Sequence, residues 1–287
     1  MNATELSQFL HIPDGISAAK ALERTTHLAI GAHQDDLEIF AYHGIATCYD
    51  SAGQWFGGIT VTDGGGSART GPYAHYSDEQ MKAVRFEEQN RAADIGRYSF
   101  QAQLGFPSSE VKSASPSHAV VNVLAQFLRS CRPHTLYLHN PADKHPSHLA
   151  VLTHCVSALR SLEPAFRPER IYGCEVWRGL DWLRDEDKIA LSTDAHPELA
   201  RQLLDVFASQ IVGGKSYTTA TLGRRQANAT FYQSHQVDGA ASLTYAMDLH
   251  PLLDEPELTL HDLALRHLHA LRADMDAAYA SLPCCNC

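Results

Sequence analysis

The sequence predicts an α/β fold built on a mostly parallel sheet, and two observations lead there. Short apolar runs without helical periodicity alternate with longer amphipathic stretches. That alternation implies right-handed βαβ crossovers and a Rossmann-like sheet with helices on both faces. No internal repeat or linker divides the 287 residues, a length that one large domain can bury around a single core. The expectation is one domain over 1–287, with a core from about 24 to 235 and a helical C-terminal extension over 236–287.

The elements follow in chain order. Residues 26–32 (THLAIGA) read as a buried parallel strand. Residues 56–61 read as a second strand, ending in the turn signal Thr62-Asp63-Gly64-Gly65-Gly66. Residues 77–97 form a helix, with Ser77 and Gln80 as a capping pair. A helix over 117–130, a buried strand over 134–139 and a helix over 148–162 come next. Strands over 170–176 and 189–192 precede helices over 194–208, 222–232 and 260–279. Beyond about Pro197 the chain is more helical and reads as a lobe over the sheet.

Composition excludes some classes of function. A formal net charge of −10 opposes a nucleic-acid binder, which needs a basic stripe. No apolar run approaches the roughly 20 residues that span a bilayer, and no basic segment followed by an apolar one opens the chain. A cytoplasmic protein without a membrane span is the expectation, and a homo-oligomer is compatible with it. Cys48, Cys131, Cys155 and Cys174 stand singly in apolar surroundings and read as reduced thiols. Cys284, Cys285 and Cys287 crowd the last positions, where a frayed terminus is a poor metal cage.

Two clusters carry chemistry. His33-Gln34-Asp35-Asp36-Leu37-Glu38 follows the first strand, and Asp143-Lys144-His145-Pro146-Ser147-His148 follows the 134–139 strand. In parallel sheets, ligands bind at the carboxyl ends of strands, so both loops belong at one rim. A catalytic zinc takes three protein ligands and leaves a position for water. His33 and Asp36, three apart in a turn opening a helix, can face one point, and His148 can supply the third ligand. Taken singly, Asp35, Asp36 and Glu38 are also ordinary helix N-terminal carboxylates, and His145 and His148 an exposed loop pair. The pairing of the two clusters is what points to metal.

GAHQDDLEI resembles the signature of the PIG-L/LmbE-like zinc-dependent N-deacetylases, and His145-Pro146-Ser147-His148 resembles that family's second histidine motif. Thr62-Asp63-Gly64, Arg85-Phe86-Glu87-Glu88 and Ser209-Gln210 resemble its less specific elements. The resemblance implies a metal triad of His33, Asp36 and His148, with Asp35 as general base and His145 as a second catalytic histidine. It places Arg85 against the sugar, and Asp63 and Arg69 are further substrate candidates. Zinc is the implied cofactor, with Fe(II), Co and Mn as ions that share such sites. The implied reaction is hydrolysis of an N-acyl, above all N-acetyl, group on an amino sugar or amino-sugar conjugate. The alternatives are an amidase for a non-sugar or thiol-conjugate amide, and a silent sugar-binding relative. Against the last, binding metal does not require Asp35.

Three departures from the family pattern stand out. Gln34 replaces proline and is expected to loosen the turn. The glycine-rich stretch is reduced to Phe40-Ala41-Tyr42-His43-Gly44. Ser147 occupies the place of an aspartate that orients the catalytic histidine, with Asp143 as a substitute partner for His145. His145 is expected to act as an imidazolium, and Glu87-Glu88 to be helix surface, with Glu88 placed by helical proximity to pair with Arg85. The loop 64–71 lacks the Gly-Lys-Ser/Thr ending of a phosphate-binding loop and reads as a substrate-facing loop, with Arg69, Tyr73 and His75 within reach of a ligand.

Overall fold

The computed structural model describes residues 3–113, 115–212 and 214–282. Eight strands form one sheet: β1 (Leu10–His11), β2 (His27–Gly31), β3 (Phe56–Thr62), β4 (Phe100–Phe106), β5 (Thr135–His139), β6 (Arg170–Cys174), β7 (Ile189–Ser192) and β8 (Leu243–Asp248). Their order is β1-β4-β3-β2-β5-β6-β8-β7. The five central strands, β4 to β6, run parallel, while β1 on one edge and β8 near the other pair antiparallel.

Helices α1 (Ala3–Leu6), α2 (Ala18–Glu23), α3 (Asp36–Phe40), α4 (Tyr42–Cys48) and α5 (Asp78–Gly96) lie in the first third of the chain. Next come α6 (Ser108–Val111), α7 (His118–Cys131), α8 (Pro146–Arg160), α9 (Pro197–Asp205) and α10 (Ala208–Val212). The chain closes with α11 (Tyr217–Thr230), α12 (Pro251–Asp254) and α13 (Leu260–Ala280).

Strand alternation divides the core. Leu28 and Ile30 of β2 enter one cluster with Leu124 and Leu128 of α7 and Leu152 and Leu159 of α8. Ala29, between them, enters the other with Phe40, Ile45, Ala92 and Leu203 on the opposite face. Each cluster removes several large side chains from water, and burial of each such side chain contributes roughly 1.5–3 kcal/mol. Helix α5 starts in a capping box, Ser77 Oγ accepting from the Gln80 N–H while the Gln80 side chain accepts from the Ser77 N–H.

Three strands depart from the sequence reading, the two-residue β1 and the longer β4 and β8. FQAQLGF becomes β4 because Gln101 and Gln103, polar residues in a central strand, find partners: Gln101 Nε2 donates to Thr60 Oγ1 (3.1 Å), and Gln103 Nε2 to the Phe86 carbonyl (2.9 Å). The segment 236–287, expected to be helical, contributes β8 between β6 and β7. The expected helix over 194–208 divides into α9 and α10. Cys131, Cys155 and Cys174 are buried free thiols and Cys48 is half-buried. Cys284, Cys285 and Cys287 lie outside the described residues.

Candidate metal centre and active site

Strand order reverses between β2 and β5, which are neighbours in the sheet although widely separated in sequence. The crevice beyond the carboxyl ends of such a pair is the usual ligand site of an open parallel sheet. His33, Asp35 and Asp36 follow β2, and His145 and His148 follow β5. All five lie here.

The turn out of β2 is tight. His33 N–H donates to Asp36 Oδ2 at 2.7 Å, which closes the turn and fixes the carboxylate. A Cβ on Gly31 would stand 2.9 Å from the Asp36 Cβ and 3.0 Å from Leu37 Cδ2, so only glycine fits. Asp35 caps α3 with φ 92°, a left-handed conformation that costs a non-glycine residue energy. Its N–H donates to Gln89 Oε1 at 3.1 Å. Gln34 does not loosen this turn. It is buried, its amide reaches the Thr62 carbonyl and Gln103 Oε1 at 3.3 Å each, and it ties the turn to β3 and β4.

The three expected ligands converge. His33 Nδ1 and His148 Nε2 are 3.2 Å apart; Asp36 oxygens stand 3.4 Å from the first and 3.3 Å from the second. Ligands 2.0–2.1 Å from a tetrahedral zinc are separated by roughly 3.3 Å, so the donor set fits such an ion. Two other groups of potential donors overlap this set, His33 with His145 and His148, and Asp36 with His139 and His148. However, His139 Nε2 already accepts the Ala32 N–H at 3.0 Å, and its ring is wholly buried. His139 instead stacks on His148 with centroids 3.8 Å apart, holding that ring in place. It is a positioning residue that the sequence did not single out.

Asp143 does not serve His145 in the way the sequence led us to expect. Its Oδ1 accepts the backbone N–H of His145 at 2.9 Å, while Oδ2 lies 3.3 Å from His148 Nδ1 and accepts the Trp177 N–H at 3.3 Å. The carboxylate thus orients the expected ligand His148, as outer partners of metal-binding histidines do. Ser147 contacts His145 through its backbone, its N–H donating to His145 Nδ1 at 3.3 Å. That leaves Nε2 to carry the ring proton. Burial, with His148 and His33 adding repulsion, pushes the His145 pKa down to about 4. The site therefore favours a neutral His145 rather than the expected imidazolium.

Asp35 is held by Arg85. Arg85 Nη2 lies 2.9 Å from its Oδ2, and Arg85 Nη1 pairs with Glu88 at 3.0 Å. Glu88 in turn accepts from the Ser209 N–H and hydroxyl, each at 2.7 Å. Arg85 and Glu88 are thus buried partners beneath the site, and of the Glu87–Glu88 pair only Glu87 is surface. Burial pushes Asp35 up to about 6, with Arg85 opposing the shift and Asp36 reinforcing it. For Asp36, burial also raises the pKa, but the His148 and His139 rings outweigh it and hold the carboxyl well below its usual range. His148 moves up to about 9: burial lowers it, but Asp36 and Asp143 prevail.

A cavity of about 500 Å³ opens over these groups, within the usual range of roughly 300–1,000 Å³ for small-molecule sites. His33, Asp35, Asp36, Arg85 and His145 line its floor, and Gly64, Gly66, Ser67 and Ala68 one wall. Trp177 and Tyr217 form an aromatic pair above His145, with centroids 6.1 Å apart. Asp63 and Arg69 face elsewhere. Asp63 pairs with Lys82 at 3.1 Å, and Arg69 bonds to Asp78 and the Gly65 carbonyl. Tyr73 packs on Tyr76, and neither Tyr73 nor His75 lines the cavity.

Residues 28–159 match the family profile described as PIG-L, GlcNAc-PI de-N-acetylase. No curated protein matches the chain in sequence. Among solved structures, the conserved protein TT1542 from Thermus thermophilus shares 22% identity, with a TM-score of 0.60, over 82% of this chain and 99% of its own. The 4-carboxy-2-hydroxymuconate hydratase GalB from Pseudomonas putida shares 16%, with a TM-score of 0.61, over 78% and 96%. N,N'-diacetylchitobiose deacetylase from Pyrococcus horikoshii shares 15%, with a TM-score of 0.58, over 80% and 85%. These similarities establish a shared fold, and a fold that hosts both a hydratase and a deacetylase does not by itself fix the reaction.

Proposed function

We propose, from the match of residues 28–159 to the PIG-L family profile, that this protein is a metal-dependent amide hydrolase that removes an N-acyl group, typically acetyl, from an amino sugar or its conjugate. The observation that carries this reading is Asp35. Its carboxylate stands beside the His33–Asp36–His148 donor set, on strained backbone, braced by Arg85 and Gln89. Simple metal storage gives no reason to maintain it.

His33, Asp36 and His148 would hold the ion, with zinc the expected one. A divalent ion there supplies Lewis acidity, which brings the pKa of water down toward about 7 and polarises a carbonyl. Asp35, raised to about 6, takes a proton from the attacking water at near-neutral pH and returns it to the leaving amine. His145, with its proton on Nε2, donates a hydrogen bond to the amide oxygen as negative charge develops there. Trp177 and Tyr217 offer aromatic faces to the apolar side of a sugar ring.

The test is a panel of N-acylated amino sugars and non-sugar amides incubated with metal-replete protein, with released amine and metal content measured on the same sample. Amine release that depends on the ion supports the reading. Stoichiometric metal with no amine release from any sugar amide, or hydration of an unsaturated acid instead, overturns it.

A further inference from the structure

Helix α13 is docked at one end only. Leu263 and Ala264 are buried against the body, Arg266 Nη2 pairs with Glu255 at 2.8 Å, and His267 Nδ1 stands 3.7 Å from Asp187. From Arg272 to Leu282 every residue is exposed, so more than two turns of helix project into water. Helices in proteins owe most of their stability to the packing of an apolar face. Here such a face exists, and among the described residues nothing in the chain covers it.

Leu265, Leu268, Arg272, Met275, Tyr279 and Leu282 recur at alternating steps of three and four, which lays them along one stripe of a helix. Leu282 extends the stripe through the turn that closes α13, its N–H donating to the Tyr279 carbonyl at 3.2 Å. Leu268, Met275, Tyr279 and Leu282 are between 45% and 63% exposed. The one charge in the stripe is loosely held: Arg272 reaches Asp276 only at 3.8 Å, and both side chains stand mostly in solvent.

We infer that this stripe is a docking surface for a second copy of the chain, with two α13 helices packed antiparallel about a two-fold axis. The spacing reads the same from either end. An axis between Ala273 and Asp274 sets Leu265 against the partner's Leu282, Leu268 against the partner's Tyr279, and Met275 against the aliphatic stem of the partner's Arg272. A two-fold interface has to be self-complementary in this way. Charge selects the orientation. A parallel pair in register puts Arg272 against its own copy, whereas the antiparallel pair sets each Arg272 beside the partner's Asp276 and alternates the charges at the centre. A membrane surface is the poorer occupant. In α13, Asp262, Asp274 and Asp276 stand against Arg266 and Arg272, without the basic excess that draws a helix onto anionic lipid. The stripe is about 27 Å long, and one helix from each copy makes a small interface, so the dimer is a reversible one.

Sedimentation equilibrium of the full chain over a range of concentrations tests this. Wild type is expected to pass from monomer to dimer as concentration rises. Met275→Lys/Tyr279→Lys should weaken association about tenfold or more, while its melting temperature at monomeric dilution stays that of wild type. Arg272→Glu should weaken association as well, and Arg272→Glu/Asp276→Arg should restore it. A parallel pair would be indifferent to Arg272→Glu, because glutamate facing glutamate repels as arginine facing arginine does. Unchanged association in Arg272→Glu therefore overturns the antiparallel pairing. A monomer at every concentration, or a dimer that persists in Met275→Lys/Tyr279→Lys, overturns the surface. So does co-sedimentation of wild type with phosphatidylcholine–phosphatidylserine vesicles that is lost in that double variant, since the stripe would then belong to a membrane.

Discussion

Asp35 shows how little of a residue's role is contained in its identity. Its neighbour Asp36 has the same side chain and is buried too, yet burial lifts Asp35 to about 6 against the pull of Arg85, while the His148 and His139 rings outweigh burial at Asp36 and hold it low. On the proposed reading the two carboxylates would divide into a metal ligand, Asp36, and a proton carrier, Asp35. Asp35→Asn should keep the metal and slow amide hydrolysis by roughly 10²–10⁴-fold, the size of a general-base contribution. Elemental analysis together with steady-state rates checks this, and loss of metal would mean that base and ligand have been exchanged. Gln89 makes a second case. Its amide spans the Asp35 N–H and Glu38 Oε1, so Gln89→Met leaves both without that partner and should cost about 1–3 kcal/mol. Urea unfolding reads the loss, and an unchanged midpoint would show that the bridge is dispensable.

At the scale of elements, the turn from β2 into α3 decides the geometry. Its donors were legible from His33-x-x-Asp36, because a helix-opening turn after a buried strand leaves few places for them to point. The need for Gly31 was not legible, since it arises from the Asp36 and Leu37 side chains folding back over the strand end. Gly31→Ala should therefore lower stability by about 1–3 kcal/mol, the usual cost of overpacking, and weaken metal affinity with it. A metal titration followed beside thermal unfolding tests the coupling; a destabilised variant with wild-type affinity would uncouple the strand end from the ligands. Strands β4 and β8 escaped the sequence reading for a related reason. The glutamines of β4 are acceptable in a core only because Thr60 and the Phe86 carbonyl are there to meet them. Strand β8 pairs with β6 and β7, segments far away in sequence.

Proton and metal linkage operate on the whole molecule. His27, on β2 away from the cavity, is pushed down to about 4 by burial, with His43, His134 and Arg170 adding repulsion. The unfolded chain binds this proton near 6.5 and the folded one does not, so stability is present above 6.5 and is lost as pH falls toward 4. The interval corresponds to about 3 kcal/mol. His139 and His145, also near 4, contribute slope of the same sign. The informative quantity is therefore the difference between wild type and His27→Asn, whose ΔG profile should be flatter between pH 6.5 and 4. Parallel profiles would show that His27 titrates normally in the fold. Metal is expected to act as a ligand of the native state alone, contributing about 4 kcal/mol at a thousandfold excess over Kd. Chelation should lower the melting temperature of wild type and leave that of His148→Ala unmoved. A chelator effect of equal size in both would place the stabilising ion elsewhere.

The sequence by itself determined the α/β class, most of the central strands and the five residues His33, Asp35, Asp36, His145 and His148 that meet at the switch point. These are local facts: a strand's apolar run and the loop that follows it are contiguous, and topology brings contiguous loops to one rim. Tertiary structure decided what surrounds them. Asp143 turned to His148 rather than to the His145 ring, Arg85 and Glu88 became buried braces, and Asp63 and Arg69 faced away from the cavity. A charged side chain's partner is set by which elements pack together, and that packing follows from the burial of both faces of the sheet, a property no short stretch of sequence contains.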